Sequence, residues 1–131
     1  MLGETTHTFL ARFTGVEPAS DALWLEALTH GSTGHERNYE RLEFLGDRVL
    51  GLVIAEWLYE LGTGNEGKLS QRFNALVARS MCAAIGRGIG LGEHVRLGKQ
   101  ASDDGARNSD NVLGDVMEAL LGASFVTLGF E

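Results

Sequence analysis

Apolar residues recur along this chain at three- and four-residue intervals, the period of a helix that buries one face. "THTFLARFTG" reads as a short amphipathic helix ended by Gly15. "PASDALWLEALTH" reads as a second, with Pro18 near its start and Leu23, Leu25 and Leu28 on an apolar side. "GSTGHERN" is a loop by its density of glycine and small polar residues. From Asn38 to about Leu61 the helical period returns, with Leu42, Leu45, Val49, Leu52, Val53 and Leu58 available for packing. "GTGNEG" breaks it, and "KLSQRFNALVARSMCAAIGRGIGL" predicts two more helices, with Leu69, Phe73, Leu76 and Val77 as apolar positions. Residues 98–108 read as an exposed polar loop. "SDNVLGDVMEALLGASFVTLG" predicts a last strong helix capped by Ser109 or Asp110. No alternating run of β-branched residues supports a strand, so the expected fold class is all-α.

Length and composition change this picture little. The 131 residues suit one domain with a single core, and 44% hydrophobic with 22% charged residues is ordinary for a globular protein. No apolar run approaches the roughly 20 residues of a bilayer span, and no signal-peptide pattern opens the chain. A single cysteine, Cys82, rules out an internal disulfide framework and suits a reducing compartment. The expectation is a cytoplasmic protein without a membrane partner.

Charge matters more. A formal net charge of -7 argues, by itself, against a nucleic-acid binder, because phosphate backbones are met by clustered Lys and Arg. It suits a protein that gathers acids around a divalent cation. In "YERLEFLGDRVLG", Glu40, Glu43 and Asp47 fall on one helical face, where like charges repel. Asp115 and Glu118 repeat the pattern among Val112, Leu113, Met117, Leu120 and Leu121. If the two faces meet in the core, their carboxylates need a hard cation such as Mg2+ or Mn2+. Closely paired metals on such carboxylates serve phosphodiester hydrolysis. The plainer alternative stays open at this point: either cluster alone also reads as a solvated face, with Arg41 and Arg48 near enough in sequence to pair with it.

The string itself is more specific than its spacing. "NYERLEFLGDRVLG" resembles the signature segment of the ribonuclease III family, and "ERLEFLGD" matches it without a change. "LEALTHGS", "NEGKLS" and "VLGDVMEALLGA" resemble further family landmarks in family order, and the likeness spans roughly residues 20–129. The resemblance implies a ribonuclease III endonuclease-domain fold, homodimeric, that hydrolyses double-stranded RNA. The expected products carry 5'-phosphate and 3'-hydroxyl ends with two-nucleotide 3' overhangs, as in the processing of rRNA and mRNA. It implies that Glu43, Asp47, Asp115 and Glu118 bind Mg2+, with Mn2+ as substitute, and that Asp47 and Glu118 are catalytic, Glu118 lying closest to the chemistry. Glu40 and Glu66 match secondary acids of the catalytic valley. Asn38 would lie at the valley's edge against RNA, and Phe44 at the dimer interface.

Family enzymes of the common bacterial type continue into another helix and a basic double-stranded-RNA-binding domain. Residues 1–131 are therefore expected to be a single nuclease domain, truncated before its last helix and that RNA-binding part. A non-catalytic module that dimerises or holds duplex RNA is the rival reading, and four retained carboxylates speak against it. Other residues attract no chemistry. His30 reads as structural, His7, His35 and His94 lack ligand spacing, and Cys82 reads as a buried small residue. "GRGIGLG" fits no nucleotide-binding loop and "SDDGARNSDN" lacks the spacing of a calcium loop. Lys99, Arg107, Arg72 and Arg79 offer cations for phosphate, but an exposed, solubilising role is the better reading for any one of them.

Overall fold

In the computed structural model, which describes residues 2–18, 20–62 and 64–129, the most apolar segment of the chain becomes its centre. That segment is α7, Asp110–Leu128. From Val112 to Ala123 it is almost continuously buried, with Val116, Ala119, Leu120 and Ala123 sealed from solvent. A helix that is apolar on nearly every face must be surrounded, and the other helices surround it. Ser109 starts it, accepting the Val112 N–H at 3.4 Å, one of the two caps the sequence suggests. By length and composition α7 would also be able to cross a membrane, contrary to the expectation that no segment qualifies. However, 56% of it is buried inside the fold, as befits a core helix.

Six helices precede it: α1 (Glu4–Thr14), α2 (Asp21–Ala27), α3 (Glu40–Leu61), α4 (Glu66–Val77), α5 (Arg79–Gly88) and α6 (Lys99–Asp103). The 22-residue α3 lies along α7, α5 packs on it from another side, and α2 covers it more lightly. Leu10 of α1, Trp24 and Ala27 of α2, Leu42 of α3 and Ala83 of α5 complete one hydrophobic core. Among the described residues there is no strand. A single parallel bridge, Thr29 with Arg96, ties the end of α2 to the segment before α6.

Contact between α3 and α7 is unusually close, for a reason written in glycine. A Cβ on Gly46 would stand 1.6 Å from the Glu118 carbonyl oxygen, and one on Gly122 would stand 2.3 Å from the Leu42 carbonyl oxygen. Two bare positions, one on each helix, let the backbones touch.

Several expectations shift. The second helix begins at Asp21, under a Ser20 cap, rather than near Pro18, and it buries Trp24 and Ala27 more fully than Leu23 or Leu25. Leu52 and Val53 are exposed rather than packed; the residues that α3 buries are Leu42, Gly46 and Leu58. Residues 98–108 are not a loop throughout: α6 and a 3-10 turn at Ala106–Asn108 occupy them. Their polar side chains hide the turn from a hydrophobic pattern, while Lys99–Asp103 and Gln100–Asp104 pairs, four residues apart, stabilise it.

Candidate metal centre

Close approach of α3 and α7 decides where their acids go. Glu43 projects from α3 about one turn before Gly46, and on α7 Glu118 lies about one turn and Asp115 about two turns before Gly122. The carboxylate oxygens of Glu43, Asp115 and Glu118 come within 4.8 Å of one another. Glu118 is only 6% exposed, the one charged residue among the described residues counted as fully buried.

Three negative charges so placed are not stable in isolation, and the protein shows the strain in its proton affinities. Burial first, and then the neighbouring Asp115, push the Glu43 carboxyl up to about 7. Burial first, then a hydrogen bond and charge from Asp47, push Glu118 up to about 8. Tyr39 is buried beside the group, and its phenol is raised well beyond the ordinary range by burial and by Asp115. It stays a proton donor, and its hydroxyl lies 3.4 Å from Asp115 Oδ2. Cys82 feels the same field. Burial, then Glu118 and Asp47, hold its thiol protonated, as fits a packing residue rather than a nucleophile.

Asp47 sits one turn further along α3, half exposed, outside the trio but near enough to help raise the Glu118 carboxyl. Its carboxylate pairs with Arg48, whose guanidinium also lies 4.6 Å from the centre of the Phe44 ring. Phe44 itself is 64% exposed. Glu40 is exposed in the first turn of α3, near enough to add its charge to Tyr39 and Glu43. Asn38 accepts the Glu40 N–H at 3.0 Å and reaches the His35 carbonyl, so both ends of its amide are engaged locally. Glu66 is exposed at the start of α4, under the Asn65 cap, and is not one of the acids that converge.

One participant escapes the sequence reading. Arg79, read there as a solubilising cation, opens α5 and places Nη2 3.1 Å from Asp115 Oδ1. No spacing rule announces it, because it comes from a third helix. His30, by contrast, is structural as expected: its Nδ1 accepts the Ser32 N–H, and its ring packs edge-on against Tyr39.

The donor set is suited to a hard divalent cation. It offers only oxygens, it is partly dehydrated, and Asp115 Oδ1 is buried without a hydrogen bond despite the nearby guanidinium. A cation would satisfy that oxygen and offset both the burial and the repulsion that lift Glu43 and Glu118.

Comparisons with known proteins agree on what this architecture is similar to. Residues 20–131 match the ribonuclease-III-like family. Ribonuclease 3 of Zymomonas mobilis is 57% identical over 125 residues, which cover 95% of this chain and 50% of the relative. That of Rhodobacter capsulatus is 48% identical, with 82% of this chain and 48% of the relative covered. The chain thus spans about half the length of these curated relatives. Among solved structures, a nuclease domain of ribonuclease III from Campylobacter jejuni superposes with a TM-score of 0.88 at 35% identity, covering 93% of this chain and 86% of that one. That structure was described for flexibility in a region involved in dimer formation.

Proposed function

The chain belongs to the ribonuclease III family, and from that membership and the acidic seam we propose that it is a metal-dependent endoribonuclease acting on double-stranded RNA. The observation that carries the reading is the convergence of Glu43, Asp115 and Glu118 to within 4.8 Å, one of their oxygens buried and unsatisfied. Together with Asp47 they would hold Mg2+, or Mn2+ in its stead. When bound, the ion supplies Lewis-acid neutralisation of the phosphodiester and activation of the attacking water.

The chain's own residues do the rest. Glu118, buried and linked to Asp47, is the acid nearest the chemistry. Tyr39 fixes the orientation of Asp115 from below. Glu40 and Glu66 serve as secondary acids of the valley, and Asn38 meets RNA at its edge. An A-form duplex offers little of its base edges, so recognition rests on groove shape and 2'-hydroxyl contacts. Hydrolysis leaves 5'-phosphate and 3'-hydroxyl ends. In a homodimer each subunit cuts one strand, leaving two-nucleotide 3' overhangs. Exposed Phe44, in a groove that joins Leu23, Leu42, Leu45 and Val126 to a charged rim of Glu26, Arg37, Glu40 and Arg41, supports a second copy of the chain as the partner on that face. RNA processing in the cytoplasm is the setting this activity fits.

Cleavage of a long duplex RNA at low salt, with Mg2+ against EDTA, tests the reading on the wild-type chain and on Glu118→Gln. Metal-dependent release of short duplexes, lost in the variant while circular dichroism is unchanged, is the expected result. Near-normal cleavage by the variant would remove Glu118 from the mechanism.

A further inference from the structure

Asp115 Oδ1 is held in an unusual way. It is shut off from solvent, it has a guanidinium nitrogen 3.1 Å away, and yet the geometry is too poor for a hydrogen bond. Attraction without alignment is a weak hold, since charge-assisted bonds owe much of their strength to geometry. An ion that takes all its ligands as oxygen would compete for this atom on favourable terms.

Room for the arginine is built into the centre of the fold. A Cβ on Gly114 would stand 2.6 Å from Arg79 Cγ and 3.1 Å from the Arg79 carbonyl oxygen. Only a glycine next to Asp115 lets the stem of Arg79 lie across α7. The arginine's backbone is fixed at the first position of α5, after the extended Ala78, while its side chain remains 51% exposed. It therefore stands at the rim, one side on a buried carboxylate and the other in water. Two other arginines of the sequence, Arg87 and Arg107, are committed elsewhere. Arg87 binds Asp110 and the Asn108 carbonyl, and Arg107 binds the carbonyls of Gly92 and Val95.

We propose that Arg79 is a placeholder cation, which neutralises Asp115 in the metal-free protein, yields that carboxylate when a divalent ion loads, and then serves as a donor to the phosphate backbone of the RNA. The inference rests on the metal-dependent nuclease reading above. Its logic is electrostatic. A divalent ion at the trio removes the charge that attracts Arg79 and adds a like charge beside it. The displaced guanidinium, a planar fork suited to phosphate, then has the substrate as its nearest anion. Arg79 should accordingly act with opposite sign on the two ligands, hindering the metal and helping the RNA. A residue that merely braced Asp115 would help both.

Calorimetric titration of the full chain with Mg2+ in the absence of RNA is the first arm, and steady-state cleavage of a perfectly paired RNA duplex is the second. Arg79→Ala should tighten Mg2+ roughly fivefold and raise KM for the duplex roughly tenfold, with a smaller change in kcat. Arg79→Lys, which keeps the charge but not the fork, should restore wild-type Mg2+ affinity and only part of the KM. Should Arg79→Ala fail to fold, Arg79→Gln carries the same expectation with the stem retained. Weaker Mg2+ binding in the neutral variants, or an unchanged KM, would overturn the placeholder role. A wild-type chain that takes up no Mg2+ would overturn this inference and the metal-dependent reading together, and it is told apart because the wild type itself is silent.

Discussion

At the scale of single residues, the proton would compete with the proposed metal. Glu43 and Glu118 ionise in the unfolded chain near 4.5, but only near 7 and 8 in the folded one. Between those limits the folded chain binds more protons than the unfolded chain, so stability falls as pH rises through the window. Metal-free protein should therefore melt at a lower temperature near pH 8.5 than near about pH 5.5, and Mg2+ should restore more at the higher pH, where both carboxylates are ionised. Thermal melting with EDTA and with Mg2+ at both values checks this, and a Mg2+ effect independent of pH would count against ligation by these two acids. The same pair explains why Asp47 alone is a poor guide to the site. Half exposed and paired with Arg48, it resembles any surface acid until Glu118 is seen beside it.

At the scale of elements, the seam between α3 and α7 does most of the positioning. Gly46→Ala would insert a methyl group 1.6 Å from the Glu118 carbonyl oxygen. The helices must part, which we expect to cost about 3 kcal/mol, the upper part of the range for overpacked interiors. Mg2+ affinity should fall with it, because Glu43 and Glu118 separate along the same line. Denaturant unfolding and Mg2+ titration of the variant check both, and unchanged values would mean that the helices can part without cost. Here lies the boundary of what the sequence made legible. Helix periods, the Ser109 cap and the acids at Glu43, Asp115 and Glu118 were readable, because each is local or repeats with the helical turn. Gly46 and Gly122 were not, since a glycine inside a helix looks like a weakness until the partner backbone is known. Arg79 was invisible for a similar reason: its meaning depends on Gly114, 35 positions away along the chain. Leu52 and Val53 misled because apolarity says that a face seeks a neighbour, not that the same chain supplies one.

At the scale of the whole molecule, that last point becomes an expectation about assembly. Phe44 and, further along α3, Leu52, Val53, Trp57 and Tyr59 leave much apolar surface uncovered. If the chain forms the proposed homodimer, Phe44→Ala should raise its dissociation constant roughly tenfold or more, as for a buried aromatic anchor, and an unchanged sedimentation profile would deny Phe44 that role. The deeper property of the molecule lies on the opposite side of α3. Loop-borne sites open by local fraying, at little cost to the rest of their protein. This one is carried by the most interior helix and the helix pressed against it, so the acids have no low-energy excursion of their own. The seam breathes only when the entire cooperative unit breathes, and whatever grips its carboxylates clamps the whole domain.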